Sequence, residues 1–218
     1  MMTGSRPVLL VIALFAAAGA AGAALTTGHF SSDAEASVFF PSFSFVAEGR
    51  IGDRAGAATF ELDIGGTTSA PSQTAQHAWA SARGEAFELA YHRATGLVTF
   101  ALGGVMLTYE PDAPFTDILL RTRAIEEGTT ARLDSLFLNG EAVNDTSFAN
   151  GDAGGIDILR VRGADLANGF ALTGRATLSW AAAAPEQSRL AFQLQAGEAV
   201  EATRTESISW GGVKSLFR

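Results

Sequence analysis

The connection from Asn144 to Asp157 gathers the densest set of side chains capable of chemistry in this sequence. Asn144-Asp145 is followed by Asn150-Gly151-Asp152-Ala153-Gly154-Gly155-Ile156-Asp157. Calcium takes six to eight oxygen ligands from a flexible loop, and glycine lets backbone carbonyls turn inward. Asp145, Asn150, Asp152 and Asp157 are therefore the candidate calcium ligands, and calcium is the only cofactor this pattern suggests. The same residues also build plain turns, because Asn, Asp and Gly tolerate left-handed backbone and form Asx-turns. The spacing is not that of an EF-hand loop, so the two readings stand side by side.

Glu61 and Asp63 form a second constellation. On an alternating strand, residues two apart share a face at roughly 6.5–7 Å. Paired carboxylates ~5–5.5 Å apart hydrolyse glycosidic bonds with retention. Against catalysis, such a pair is also the ordinary solvated face of a strand, and the neighbouring sequence offers no aromatic cluster to hold a sugar. His29, His77 and His92 fall on separate segments and read as surface or turn residues, since a metal or pH-switch role needs convergence. Trp79, Trp180 and Trp210 offer stacking surfaces, although Trp180 ends a core-facing alternation and is expected inside. Arg121 and Arg123 share a polar strand face suited to surface ion pairs. The G-x-S-x-G, H-E-x-x-H, P-loop and dinucleotide fingerprints are all absent. No catalytic residue is assigned.

Strands must position these side chains. From Phe39 onward apolar residues recur at every second place, which puts one face on a core and one in water. Ala58–Ile64 alternates strictly, Phe170–Trp180 does so over its whole length, and Leu190, Phe192 and Leu194 follow. Phe43–Ile51 and Phe87–Tyr91 are further strands. Val98–Leu102 and Val105–Tyr109 flank Gly103-Gly104, a pair suited to a tight hairpin. Ile118–Ala124 and Ala131–Leu138 read as a second pair across Glu126–Thr129. His77–Ala82 and Ile156–Val161 are weaker, and the latter could also hold a helical turn. Helical signals are otherwise thin. The expectation is an all-β, antiparallel two-sheet β-sandwich, jelly-roll or lectin-like, of about ten strands in a single domain over 39–197.

Composition bounds the class. The chain has 218 residues, a formal charge of −8, 47% hydrophobic residues and no cysteine. A core is therefore available, disulfides and thiolate metal sites are excluded, and a nucleic-acid partner is disfavoured by the acidity. Fourteen of the basic residues are arginine and only Lys214 is lysine. At the N-terminus, Arg6 precedes the apolar run Val8–Ala18, which is shorter than the ~20 residues a spanning helix needs. Ala21-Gly22-Ala23 supplies small residues at −3 and −1 of a cleavage site. Residues 1–23 are thus expected to be a signal peptide, 24–38 a flexible leader and 198–218 a C-terminal tail. Beyond residue 197 no apolar run approaches membrane-spanning length, so no transmembrane anchor is expected in the mature chain. Ser209–Arg218 could be a docking tail, a sorting signal or a final strand.

Several phrases then carry a family likeness: Phe60-Glu61-Leu62-Asp63-Ile64-Gly65, Phe115–Ala124, Leu136-Phe137-Leu138-Asn139-Gly140, Gly155–Arg160, Gly169–Gly174 and Leu190–Leu194. Together they resemble the bacterial choice-of-anchor surface-protein domains. The resemblance implies an exported β-rich module of unknown molecular function, with a Pro-Glu-Pro-type sorting segment at the C-terminus that this chain does not carry. It brings no catalytic residues. The expected role is a secreted or cell-surface structural or interaction protein, not an enzyme, with envelope or extracellular-matrix components as partners. A carbohydrate-binding lectin-like module is the alternative, and a hydrolase on the same scaffold ranks third. Terminal sequencing of the exported protein should read from Ala24; retention of residues 1–23 would refute the cleavage assignment.

Overall fold

The computed structural model describes residues 25–52, 61–66, 71–163 and 165–200. The expected signal peptide, the start of the alternating run at Ala58–Phe60 and tail residues 201–218 lie outside the described residues.

In chain order the elements are β1 (Thr26–Phe30), α1 (Asp33–Phe39), β2 (Phe45–Arg50), β3 (Leu62–Gly65), β4 (Gln73–Ala75), β5 (Gly84–His92), β6 (Leu97–Leu102) and β7 (Val105–Tyr109). There follow β8 (Asp117–Ala124), β9 (Thr129–Leu138), β10 (Glu141–Ala142), β11 (Ser147–Asn150), β12 (Ile156–Arg162), β13 (Phe170–Trp180) and β14 (Leu190–Gly197). One sheet, A, has the order β1-β12-β8-β14-β2-β3-β4; the other, B, has β10-β9-β13-β5-β6-β7, with β11 also paired to β9. Every pairing is antiparallel. The fold is the all-β two-sheet sandwich that the alternation predicts. Its described strands number fourteen rather than about ten, because β1, β4, β10 and β11 are too short or too exposed to leave an alternating pattern.

Three local expectations are corrected. The segment expected as a flexible leader is ordered: β1 pairs along β12, and α1 follows it. Strands β8 and β9 are not a hairpin, since β8 lies between β12 and β14 in sheet A while β9 joins β13 in sheet B. Each has a mostly apolar inner face, interrupted by the buried Thr122 and Thr129, and two such faces bury more surface opposed than side by side. His77–Ala82 forms no strand. The Gly103-Gly104 hairpin is present as expected, with both glycines at positive φ (58° and 84°), the conformation that an inverse turn requires.

Helix α1 is nucleated locally. Ser32 is its N-cap, with the hydroxyl accepting from the Glu35 N–H at 3.2 Å. The Glu35 carboxylate reaches back to the Ser31 N–H at 2.9 Å. The first contact satisfies an amide that the helix start leaves open, and the second ties the helix to the residue before its cap. The helix covers the outer face of sheet A, where Leu119 and Ile158 depart from the polar pattern. With Phe30, Ala36 and Phe40 they make a small second core. Arg121 pins it there by a bidentate pair with Asp33, at 2.6 and 2.7 Å.

The main core fills the space between the sheets. Phe45, Ile64, Leu120, Phe192 and Leu194 from sheet A meet Leu89, Phe100, Leu133, Leu172 and Leu178 from sheet B, all essentially inaccessible. Phe192 is central: its ring lies 6.1 Å from Trp79, 6.3 Å from Phe87 and 6.5 Å from Phe100. Gly49 faces it because a Cβ there would stand 2.4 Å from the ring. Truncating Phe192 to Ala should cost about 3–5 kcal/mol in urea unfolding, whereas Val38→Ala, 67% exposed on α1, should stay within about 0.5 kcal/mol.

Candidate functional site

The four oxygen ligands nominated for calcium separate into two knots. At one, Asn150 Oδ1 accepts from the Asp152 N–H at 3.0 Å, and Asp152 Oδ1 accepts from the Gly128 N–H at 2.9 Å. These contacts fold the β11–β12 connection onto the β8–β9 turn. At the other, Asp145 and Asp157 both face His29 of β1. The ring Nε2 lies 3.1 Å from Asp145 Oδ1, and Nδ1 lies 2.8 Å from Asp157 Oδ1. Asp145 also accepts from the Thr27 hydroxyl and the Thr146 N–H, and Asp157 from the Phe148 N–H. Calcium needs convergent oxygens; here they are divided between two places and occupied by protein donors. Among the described residues, no group of three or more His, Asp or Glu side chains is placed to hold a metal ion.

His29 is therefore neither in a loose leader nor an ordinary surface histidine. With both ring nitrogens facing carboxylates, the ring serves both only as the doubly protonated imidazolium. Burial works against that charge, but the bonds and charges of Asp157 and Asp145 prevail and raise the pKa above its usual 6.5. The Asp145 carboxyl moves the opposite way. Burial would raise it, but the Thr146 N–H, the His29 ring and the Thr27 hydroxyl together lower it.

Glu61 and Asp63 border different cavities. Asp63 lies on the outer face of sheet A at 6% exposure, directly across the ladder from Glu48 and 3.3 Å from Arg50. Burial and the Glu48 carboxylate push its pKa up to about 7, against the pull of Arg50. Glu61 instead borders an end pocket with His77, Trp79 and Trp180. The aromatic cluster missing from its sequence neighbourhood is supplied by remote segments. Trp180 packs on the rim of the core and also lines this pocket, so the expectation that it is simply internal is half right. Arg121 pairs with Asp33 of α1 rather than with Glu126 or Glu127. Glu126 is held instead by Arg189 at 2.7 Å. Trp210 lies outside the described residues.

One concavity is not legible from residue spacing. It is an open groove of about 680 Å³ on the outer face of sheet B. Met106, Ala101, Glu88, Thr173 and Phe137 are successive partners across β7, β6, β5, β13 and β9. Four interstrand steps give the row a width of roughly 19 Å. Small side chains floor it, and Met106 (68% exposed) and Phe137 (44%) stand at its two ends. Glu88 and Arg175 are both exposed, and neither makes a hydrogen bond or ion pair with a described residue. Phe137 reaches this face through a β-bulge. Ser135 adopts φ 52° and the β13–β9 register shifts between Thr173 and Arg175. Leu133 and Leu136 thus both point inward, a phase change that was visible in the spacing of β9.

Among the described residues no helix is long and apolar enough to cross a membrane. No protein-family model matches the chain, and no curated protein matches it either.

The His29 contacts set a pH dependence. A raised folded pKa gives stability that is complete below the unfolded value of about 6.5 and is lost as pH rises through the folded pKa. The stability difference between parent and His29→Gln should therefore be largest near pH 6 and shrink toward pH 9, read by urea midpoints. Amide exchange in Thr26–Phe30 should quicken over the same interval; a difference that does not change with pH would refute the doubly bonded imidazolium.

Proposed function

We propose that the chain is an exported surface or extracellular-matrix module that acts by binding, not by catalysis. The signal-peptide-like start and the choice-of-anchor phrases support export and a surface role. The observation that carries the binding reading is the sheet-B groove. It joins two exposed apolar ends, Met106 and Phe137, to an uncommitted carboxylate at Glu88 and an uncommitted guanidinium at Arg175. Apolar anchors with a few free polar groups are the usual makeup of a recognition surface. The partner is an envelope or matrix component that lies flat across the strands. A lectin-like module is the second reading, favoured by the gathering of Trp79 and Trp180 around Glu61 and His77.

The groove is tested by measuring binding of the mature protein to purified matrix polymer and envelope fragments of the producing cells. The double substitution Met106→Ser, Phe137→Ser should weaken binding about tenfold or more, the loss expected for anchor side chains, with the melting temperature unchanged. Full binding by that variant, or none by the parent, refutes the reading.

A further inference from the structure

The end pocket that Glu61 borders has a volume of about 190 Å³. This is smaller than the ~300–1,000 Å³ of drug-sized sites. Its size suits one small ring. Its walls come from segments that are remote in sequence: Ile51 and Glu61 beside β2 and β3, His77 and Trp79 from the irregular stretch before β5, and Trp180 at the end of β13.

The aromatic side of the pocket is held rigidly. The Trp79 indole N–H donates to the Arg50 carbonyl at 3.0 Å. Its ring meets His77 nearly edge-on (4.6 Å, 78°) and Phe192 perpendicularly (6.1 Å, 90°). His77 in turn sits against Gly103, where a Cβ would come within 2.3 Å of the imidazole. Such a site is preorganised, so little is lost in ordering it around a ligand.

The polar side is unfinished. His77 Nε2 is the one side-chain nitrogen or oxygen among the described residues that is buried without a hydrogen-bond partner. Leaving such a group unmet is costly, and a buried orphan of this kind calls for a missing partner. Burial, outweighing the nearby Glu85, also holds the His77 pKa below its usual value, so the ring is neutral near pH 7. Glu61 uses one carboxylate oxygen to accept from the Gly52 N–H at 3.0 Å. Its other oxygen has no partner among the described residues.

We propose that this pocket binds a single neutral pyranose ring, with its C–H face against Trp79 and Trp180 and its hydroxyls on Glu61 and His77. A hydroxyl either donates or accepts, so one sugar hydroxyl meets His77 Nε2 in either tautomer once the imidazole turns that nitrogen toward the ligand, while a second hydroxyl donates to the free Glu61 oxygen. A quaternary ammonium would be drawn to the indole rings but has no N–H or lone pair to offer the imidazole. The inference rests on the lectin-like reading and is independent of the sheet-B groove.

The test is titration of the mature protein with glucose, galactose, mannose, N-acetylglucosamine and choline. Tryptophan emission and the His77 ring proton resonances are followed. At least one sugar should produce a saturable change in both. Glu61→Gln should weaken that binding about tenfold or more. His77→Phe should weaken it likewise while keeping or raising the melting temperature, because the orphaned nitrogen is removed. The Met106→Ser, Phe137→Ser variant should bind the sugar as the parent does, which separates this pocket from the groove. Absence of a saturable response to every sugar, binding that survives both pocket substitutions, or a response to choline alone would overturn the proposal.

Discussion

Phe192 occupies the place where the two sheets must agree. It belongs to β14 in the middle of sheet A, yet two of its aromatic neighbours, Phe87 and Phe100, belong to sheet B. Its third, Trp79, belongs to neither sheet and closes one end of the sandwich. Alternation alone supplies two greasy faces; it does not say how they interlock. Here the large ring is admitted by the missing side chain at Gly49, and through Trp79 the same contact fixes one wall of the end pocket. Core packing and the shape of that pocket are therefore one steric problem.

The outer faces obey a different chemistry, dominated by arginine. Arg121 forks onto Asp33, and Arg160 reaches Asp117 at 2.7 Å while its guanidinium lies 5.2 Å from the centre of the Phe40 ring. Arg50 spans Glu48 and Asp63. Each role asks for a planar cation that can bond twice or stack, which an ammonium does not offer. The near absence of lysine from the composition is consistent with this use. Asp63 shows the cost of crowding: burial and the neighbouring Glu48 carboxylate outweigh Arg50, so it holds its proton more tightly than an ordinary carboxyl does.

How much of this was legible follows from length and from range. β5, β6, β7, β13 and β14 are long enough to alternate through several residues, so their faces could be read directly. β1 buries only Phe30 of its five residues, leaving no periodicity to read. Helix α1 has seven residues, too few for an apolar stripe, although Ser32-Asp33-Ala34-Glu35 already spelled its N-cap. The choice of sheet for β8 and β9 was illegible because alternation fixes a face and not a neighbour. The sites suffered most from range. His29 and Asp157 meet across 128 positions, and Glu61 shares a pocket with Trp180 only because the start of β3 and the end of β13 fall at the same end of the sandwich. Spacing found the polar members of each site one at a time, and topology assembled them.

The pairing order of sheet A has a kinetic consequence. β1 is joined to β12, where Thr26 contacts Arg162 across 136 positions, and β2 is joined to β14, where Glu48 contacts Gln193 across 145. In sheet B, by contrast, β5, β6 and β7 follow one another as a simple meander. A chain that emerges N-terminus first can close that meander early, but it cannot complete sheet A until residue 197 has appeared. Long-range pairing of this kind is slow, and it leaves strand edges open while it waits. The last strand acts as a wedge driven between β2 and β8, so the two halves of sheet A become one sheet only in the final step.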